Sequence, residues 1–319
     1  MTAISFCCST HSKLRLPLPG LIPLLILLLA GCGFNAPAAT AKLKAVATVS
    51  MVSDMIRQVG GDRVEVKSLM GPGVDPHLYK ATAADLSSLQ NAKVIFYSGL
   101  MLEGKMQDVF TRLARSKKFV YAVTDAIPRQ SLLSPQEFSG HHDPHVWFEV
   151  PLWTECVDVV VKGLSECSPP DKDYFEKRGR EYKARLRELH DWAVKKAAEL
   201  PAEKRILATS HDAFNYFGRA YGFKVVGLQG ISTVSEASLS DVVQMVEFIK
   251  KNQVKAVFVE SSVPHKTLER VSQDAGVKIG GELFSDATGT PGEMENGYDL
   301  GTYEGMIKHN LNTIVNALK

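Results

Sequence analysis

Cysteine is scarce: the 319 residues hold five, and no two of them form a Cys-x-x-Cys metal motif. There is no His-Glu-x-x-His and no recognisable nucleophile motif. No apolar run reaches the ~20 residues that a membrane-spanning helix needs. Low-complexity tracts and short-period repeats are absent. An excess of one charge is missing too, since 37 Lys and Arg face 35 Asp and Glu. That balance leaves no basic stripe for nucleic acid and no acidic tail. With 45% apolar and 23% charged residues, the composition is globular, not disordered or fibrous.

The N-terminus departs from this pattern. Lys13 and Arg15 form a short basic region, and Leu21 to Ala30 is almost unbroken apolar sequence ending at Gly31-Cys32-Gly33. Basic region, short apolar core and small exit residues read as an export signal. Leu29-Ala30-Gly31-Cys32 resembles the bacterial lipobox, which implies diacylglycerol on the Cys32 sulfur and cleavage before it. A plain secretory signal or an N-terminal anchor is the alternative. Loss of residues 1–31 removes Lys13 and Arg15 and no acid, leaving 35 basic against 35 acidic residues. Gly33 to Ala41, with Pro37, reads as a tether. Cys7 and Cys8 leave with the signal. Cys156 and Cys167 are eleven positions apart on one expected helix, about three turns. A bridge needs Cα atoms within about 4.4–6.8 Å, so two buried free thiols are expected. Only a frayed helix end near Pro169 would allow a disulfide.

The remainder alternates short Val-, Ile- or Phe-rich runs with amphipathic stretches. The strand candidates are Ala45–Val49, Val64–Leu69, Val94–Tyr97 and Phe119–Val123, then Ile206–Thr209, Val225–Leu228, Ala256–Val259 and Val277–Glu282. Such alternation predicts parallel sheets with helices on their faces. Thr82-x-x-Asp85 and Ser238-x-x-Asp241 mark helix starts. Thr302 to Leu318 carries the period of a last helix. Between the halves, Asp171 to Leu200 is rich in Lys, Arg and Glu, with a stripe at Tyr182, Leu186, Leu189, Trp192 (or Ala193) and Ala197. Pro169-Pro170 and Pro201 bound it, as Pro does at helix limits. Such a helix would be about 45 Å long, a strut between two lobes.

Candidate chemistry concentrates in histidine. His77 stands in Gly73-Val74-Asp75-Pro76-His77-Leu78-Tyr79, and His145 in Asp143-Pro144-His145-Val146-Trp147, so Asp-Pro-His occurs twice. His211 follows a strand candidate, and Asp286 follows the last one. All four lie beyond strand ends or at helix starts, where open parallel sheets form their sites. Pro beside His stiffens the imidazole's mounting, and Asp75 or Asp143 is placed to hold an Nδ1–H. Glu260 ends a strand facing the cleft, as an outer support for the site or as a structural cap. His141, His142, His190, His265 and His309 read as loop, strut or helix-end groups, and Trp147 and Trp153 as packing.

Gly73–Tyr79, Asp143–Phe148, His211–Phe217 with Tyr221-Gly222, and Glu260-Ser261-Ser262 together closely resemble the TroA-like (cluster A-I) metal-binding lipoproteins of ABC importers. The match runs in order from about residue 43 to the C-terminus. It implies an α/β fold of two lobes, each a four-stranded, mainly parallel sheet with flanking helices, joined by one long rigid helix. The divisions are then signal 1–31, tether 32–42, N-terminal lobe 43–168, connecting helix 169–201 and C-terminal lobe 202–319. The resemblance further implies one divalent metal between the lobes, on His77, His145, His211 and Asp286. Its delivery would be to a permease, by a monomer held at the extracytoplasmic face through a lipid on Cys32. Asp75, Asp143 and Glu260 are the expected outer supports.

Three imidazoles and a carboxylate suit Zn²⁺. A bidentate Asp286 would admit Mn²⁺ or Fe²⁺ as well. In the resembled family, Glu at the third position leans to manganese, and here His211 stands there. The zinc branch carries a long His-rich loop, reduced here to His141-His142. Zinc and manganese therefore stand level. Two rival functions stay open. A metallohydrolase would use Glu260 as a base beside a water-bearing zinc. A surface adhesin or structural lipoprotein would have no need of a buried four-ligand site.

Overall fold

The computed structural model describes residues 41–319 except Ser139. The signal, Cys32 and most of the tether therefore lie outside the described residues.

The first lobe is built on β1 (Leu43–Ala47), β2 (Val64–Ser68), β3 (Val94–Tyr97) and β4 (Phe119–Ala122), in the order β2-β1-β3-β4. Every pairing is parallel. Parallel neighbours need crossovers, and helices supply them. These are α1 (Ser50–Gly60), α2 (Ala83–Asn91) and α3 (Gln107–Arg115), with α4 (Val150–Cys167) after the sheet. Thr82 caps α2 in a reciprocal box with Asp85, as its sequence suggested.

The connecting helix α5 is Lys172–Ala197, about 39 Å for its 26 residues. It is shorter than the expected 171–200 because the chain turns at Ala198, before Pro201. Its buried stripe is Phe175, Gly179, Tyr182, Leu186, Leu189, Ala193 and Ala197. Ala193, not Trp192, takes the inward place. Gly179 lets α4 approach, for a Cβ there would stand 2.5 Å from Val161 Cγ2.

The second lobe repeats the first. β5 (Ile206–His211), β6 (Lys224–Gln229), β7 (Ala256–Glu260) and β8 (Lys278–Leu283) run in the order β6-β5-β7-β8, again all parallel. Their helices are α6 (Asn215–Tyr221), α7 (Leu239–Lys251) and α8 (Lys266–Ala275), with Ser238 and Asp241 boxing the start of α7. A two-stranded hairpin, β9 (Met294–Glu295) and β10 (Tyr298–Asp299), precedes α9 (Tyr303–Leu318). Gly281 adopts φ +146° at a bulge in the β7–β8 pairing, and a Cβ there would meet Thr313 of α9 at 2.5 Å. Glycine is thus what lets α9 lie down on β8.

The main core does not stop at the lobe boundary. It runs from Ile95 and Phe96 in β3, through Val160 and Leu164 in α4 and Leu186 and Leu189 in α5, to Leu207, Phe258, Met306 and Leu311 beyond. A smaller core of Ala208, Leu228, Met245, Val257 and Val271 fills the far face of the second sheet. A continuous core across α5 resists wide hinge motion, because interiors are close-packed and repack only at a cost. Cys156 is buried and Cys167 half-buried; both are free, on one helix as expected.

Candidate metal centre

Each of the four expected ligands is mounted where regular structure ends. His77 lies in the loop after β2, and His145 precedes a 3₁₀ turn, Val146–Phe148, that leads into α4. His211 is the last residue of β5, and Asp286 follows β8. The two parallel sheets thus aim their carboxyl ends at one cleft.

The side chains meet there. One donor atom from each of His77, His145, His211 and Asp286 lies within 4.8 Å of all the others, and all four residues are buried. Asp286 Oδ1 is 3.5 Å from His145 Nε2, while its Oδ2 is 3.4 Å from His211 Nε2 and 3.9 Å from His77 Nε2. The three Nε2 atoms and both carboxylate oxygens are buried with no hydrogen-bond partner. Buried polar atoms are ordinarily paired. Five such unpartnered atoms converging on one point form a group that a bound cation would satisfy together. Among the described residues, this is the one group of three or more His, Cys, Asp or Glu side chains with such geometry.

Carboxylates behind the candidate ligands set their orientation. Asp143 Oδ1 accepts the backbone N–H of His145 at 3.0 Å and its Nδ1–H at 2.8 Å. Glu260 does the same for His211, accepting the backbone N–H at 2.8 Å and the Nδ1–H at 2.5 Å. Both imidazoles therefore turn Nε2 towards the cleft. The first Asp-Pro-His differs from the second. Asp75 Oδ1 accepts the backbone N–H of His77 at 2.8 Å but not its ring, and Asp75 Oδ2 accepts the Thr233 hydroxyl at 2.6 Å.

Electrostatics separate the imidazoles. Burial, only partly offset by Asp286, depresses His77 to about 3. Burial also opposes a charge on His211, but Glu260 and Asp286 outweigh it and raise the group well above its ordinary value. Asp286 is pushed up by burial and pulled down further by His211, His145 and His77, so its carboxyl stays ionised below the usual range.

The other histidines stand outside the cluster. His142 Nδ1 meets Ser134 Oγ at 2.9 Å, and His141 is exposed against Phe138. His265 Nε2 meets the Glu260 carbonyl, while His309 bridges Glu295 and the Glu282 carbonyl. Trp147 packs at the lobe boundary, donating Nε1–H to the Ser285 carbonyl at 3.0 Å. Three supporting residues escape sequence reasoning. Asn215 donates to Asp143 Oδ2 at 3.2 Å, the Tyr216 hydroxyl donates to the Asp143 carbonyl at 3.0 Å, and Thr233 binds Asp75. Asn215 and Tyr216 follow closely on His211, which was a signal of sorts. Thr233 had none, since its partner is 158 positions away.

Fold and site together define a two-lobed binding protein with a buried three-histidine, one-carboxylate cluster in its cleft. The family model described as ZnuA, zinc-uptake complex component A, periplasmic, matches residues 45–317. The manganese-binding lipoprotein MntA of Bacillus subtilis (strain 168) is 47% identical over 298 residues, which is 91% of this chain and 95% of that protein. The zinc-binding protein TroA of Treponema pallidum (strain Nichols) is 47% identical over 291 residues, 90% of this chain and 92% of that one. The solved periplasmic zinc-binding TroA from Treponema pallidum superposes with a TM-score of 0.82 at 46% identity, covering 87% of this chain and 99% of its own. The chain belongs to the ZnuA family of metal-binding proteins.

Proposed function

We propose that this protein is an extracytoplasmic receptor that captures one divalent transition metal between its lobes and delivers it to the permease of an ABC importer. His77, His145, His211 and Asp286 are the ligands in this reading, with Asp143 and Glu260 holding two of the rings and Asp75 holding the backbone of His77. The observation that carries it is the set of five buried, unpartnered donor atoms aimed at one point. In the same reading, residues 1–31 are the export signal and 32–42 a tether lipidated at Cys32. Lobes 43–168 and 202–319 flank the connecting segment 169–201, and the receptor acts as a monomer at the membrane's outer face.

The relatives do not choose the cargo, since one at 47% identity is named for manganese and another at 47% for zinc. The site supports both. Three imidazoles suit Zn²⁺. Both Asp286 oxygens face ligand nitrogens, which supports bidentate binding and a coordination number that Mn²⁺ or Fe²⁺ accepts. A hydrolytic reading fares worse. The protein donors fill the positions where a catalytic zinc keeps water, and Glu260, the candidate base, is already committed to His211.

The deciding experiment is metal content by mass spectrometry on the chain beginning after Cys32, stripped and then offered equal Zn²⁺ and Mn²⁺, beside His211→Ala. One equivalent in the parent, lost or greatly weakened in the variant, supports the reading. No metal in either removes it and brings the adhesin reading forward.

A further inference from the structure

We propose that the Asp75–Thr233 hydrogen bond is a latch across the cleft that positions His77 while the lobes are together, and so sets how fast metal leaves. The inference rests on His77 being a ligand.

The three imidazoles are held differently. His145 and His211 each have a carboxylate on Nδ1, supplied from their own lobe by Asp143 and Glu260. Among the described residues, no carboxylate takes the Nδ1–H of His77. That ring is mounted through its backbone alone, whose N–H donates to Asp75 Oδ1 at 2.8 Å. The loop carrying it, between β2 and α2, has no regular structure to stiffen it. It does have Gly73 at φ +69°, packed so that a Cβ would lie 3.2 Å from the Ser261 carbonyl of the other lobe.

What fixes Asp75 is therefore what fixes His77. The second Asp75 oxygen is bound by Thr233, which lies in the segment between β6 and α7 of the second lobe. This 2.6 Å bond ties the ligand-bearing loop of one lobe to the other lobe directly. Thr233 itself is buried, while the next residue, Val234, is 60% exposed. The bond thus sits under one layer of surface. Separation of the lobes breaks it, and Asp75 then loses one of the two contacts that orient it. The imidazole mounted through that carboxylate loosens, whereas His145 and His211 keep their carboxylates. Thr233 is thus a positioning residue, and His77 is the ligand whose geometry reports lobe closure.

The test compares Thr233→Val and Thr233→Ser with the parent, each loaded with Zn²⁺ and mixed with excess chromogenic chelator in a stopped-flow instrument. Valine keeps the shape and removes the donor; serine restores the donor. The expected result is release about tenfold faster in Thr233→Val, the scale of one lost hydrogen bond to a charged group appearing in the off-rate. Thr233→Ser should release near the parent rate, and both variants should bind one equivalent. Unchanged release from Thr233→Val, or equal acceleration in Thr233→Ser, overturns the latch. A parent that takes up no metal instead overturns the ligand reading beneath it.

Discussion

Glu260 grips His211 at two points, the backbone N–H at 2.8 Å and the ring Nδ1–H at 2.5 Å. One buried carboxylate thereby fixes both where the residue sits and which nitrogen faces the cleft. Outer partners of this kind are commonly worth 10–100-fold in metal affinity. Glu260→Gln keeps the shape but weakens the ring bond and removes a charge. Its Zn²⁺ affinity should fall by about that factor in a chelator competition, with the stoichiometry still one. An unchanged affinity would show that His211 needs no carboxylate behind it.

Metal should also stabilise the fold as a whole, since the proposed ligands come from both lobes and meet only in the native state. At free metal about 1,000 times Kd, the gain is about 4 kcal/mol. Calorimetry should show a melting temperature several degrees higher with Zn²⁺ or Mn²⁺ than without. His145→Ala should abolish most of that increment while the metal-free protein still unfolds cooperatively. An identical increment in the variant would remove His145 from the ligand set.

Much of this was readable in the chain. The eight strands were found to within two residues because each is a short branched or aromatic run with a helix start nearby. The candidate ligands stood out because Asp-Pro-His is doubled and each candidate lies at or beyond a strand end or at a helix start. What could not be read is what differs between the copies. Asp143 reaches the ring of its own histidine, but Asp75 turns its free oxygen to Thr233, 158 positions away. No local pattern encodes such a choice. The β9–β10 hairpin was overlooked despite a signal. Asn296 and Gly297 both take positive φ, at 47° and 85°, the demand that selects Asn-Gly in tight hairpins. The long helix was overestimated because charge composition marks helix but not its last turn.

The two thiols of the folded domain should be poor nucleophiles. Burial raises Cys156 far above the ordinary thiol value and Cys167 to about 11. Reaction requires thiolate, which is then scarce at pH 8. With the chain beginning after Cys32, a thiol-reactive dye should label Cys167 slowly and Cys156 only on unfolding. Denaturation without reductant should yield two titratable thiols, both being free. Rapid labelling of Cys156 in the native protein would mean that α4 opens far more readily than its burial implies.

Metal uptake near pH 7 should release about one proton, and His211 should be its source. Glu260 and Asp286, acting against burial, raise His211 well above its ordinary value, so the metal-free protein carries an imidazolium there. That proton must leave before Nε2 can ligate. His77 behaves oppositely. Burial lowers it to about 3, so it is neutral near pH 7 and has nothing to release. Asp286 is already ionised. Affinity should therefore rise with pH, by about tenfold per unit for one proton, until the pH passes the His211 value. Calorimetric titration with Zn²⁺ in buffers of different ionisation enthalpy counts the proton directly. No release at pH 7 would mean that His211 is neutral before metal arrives and that Glu260 only orients it. Release of two or more would put a second charged imidazole in the cluster. In Glu260→Gln the count should fall towards zero, because the carboxylate that holds the proton on His211 is gone.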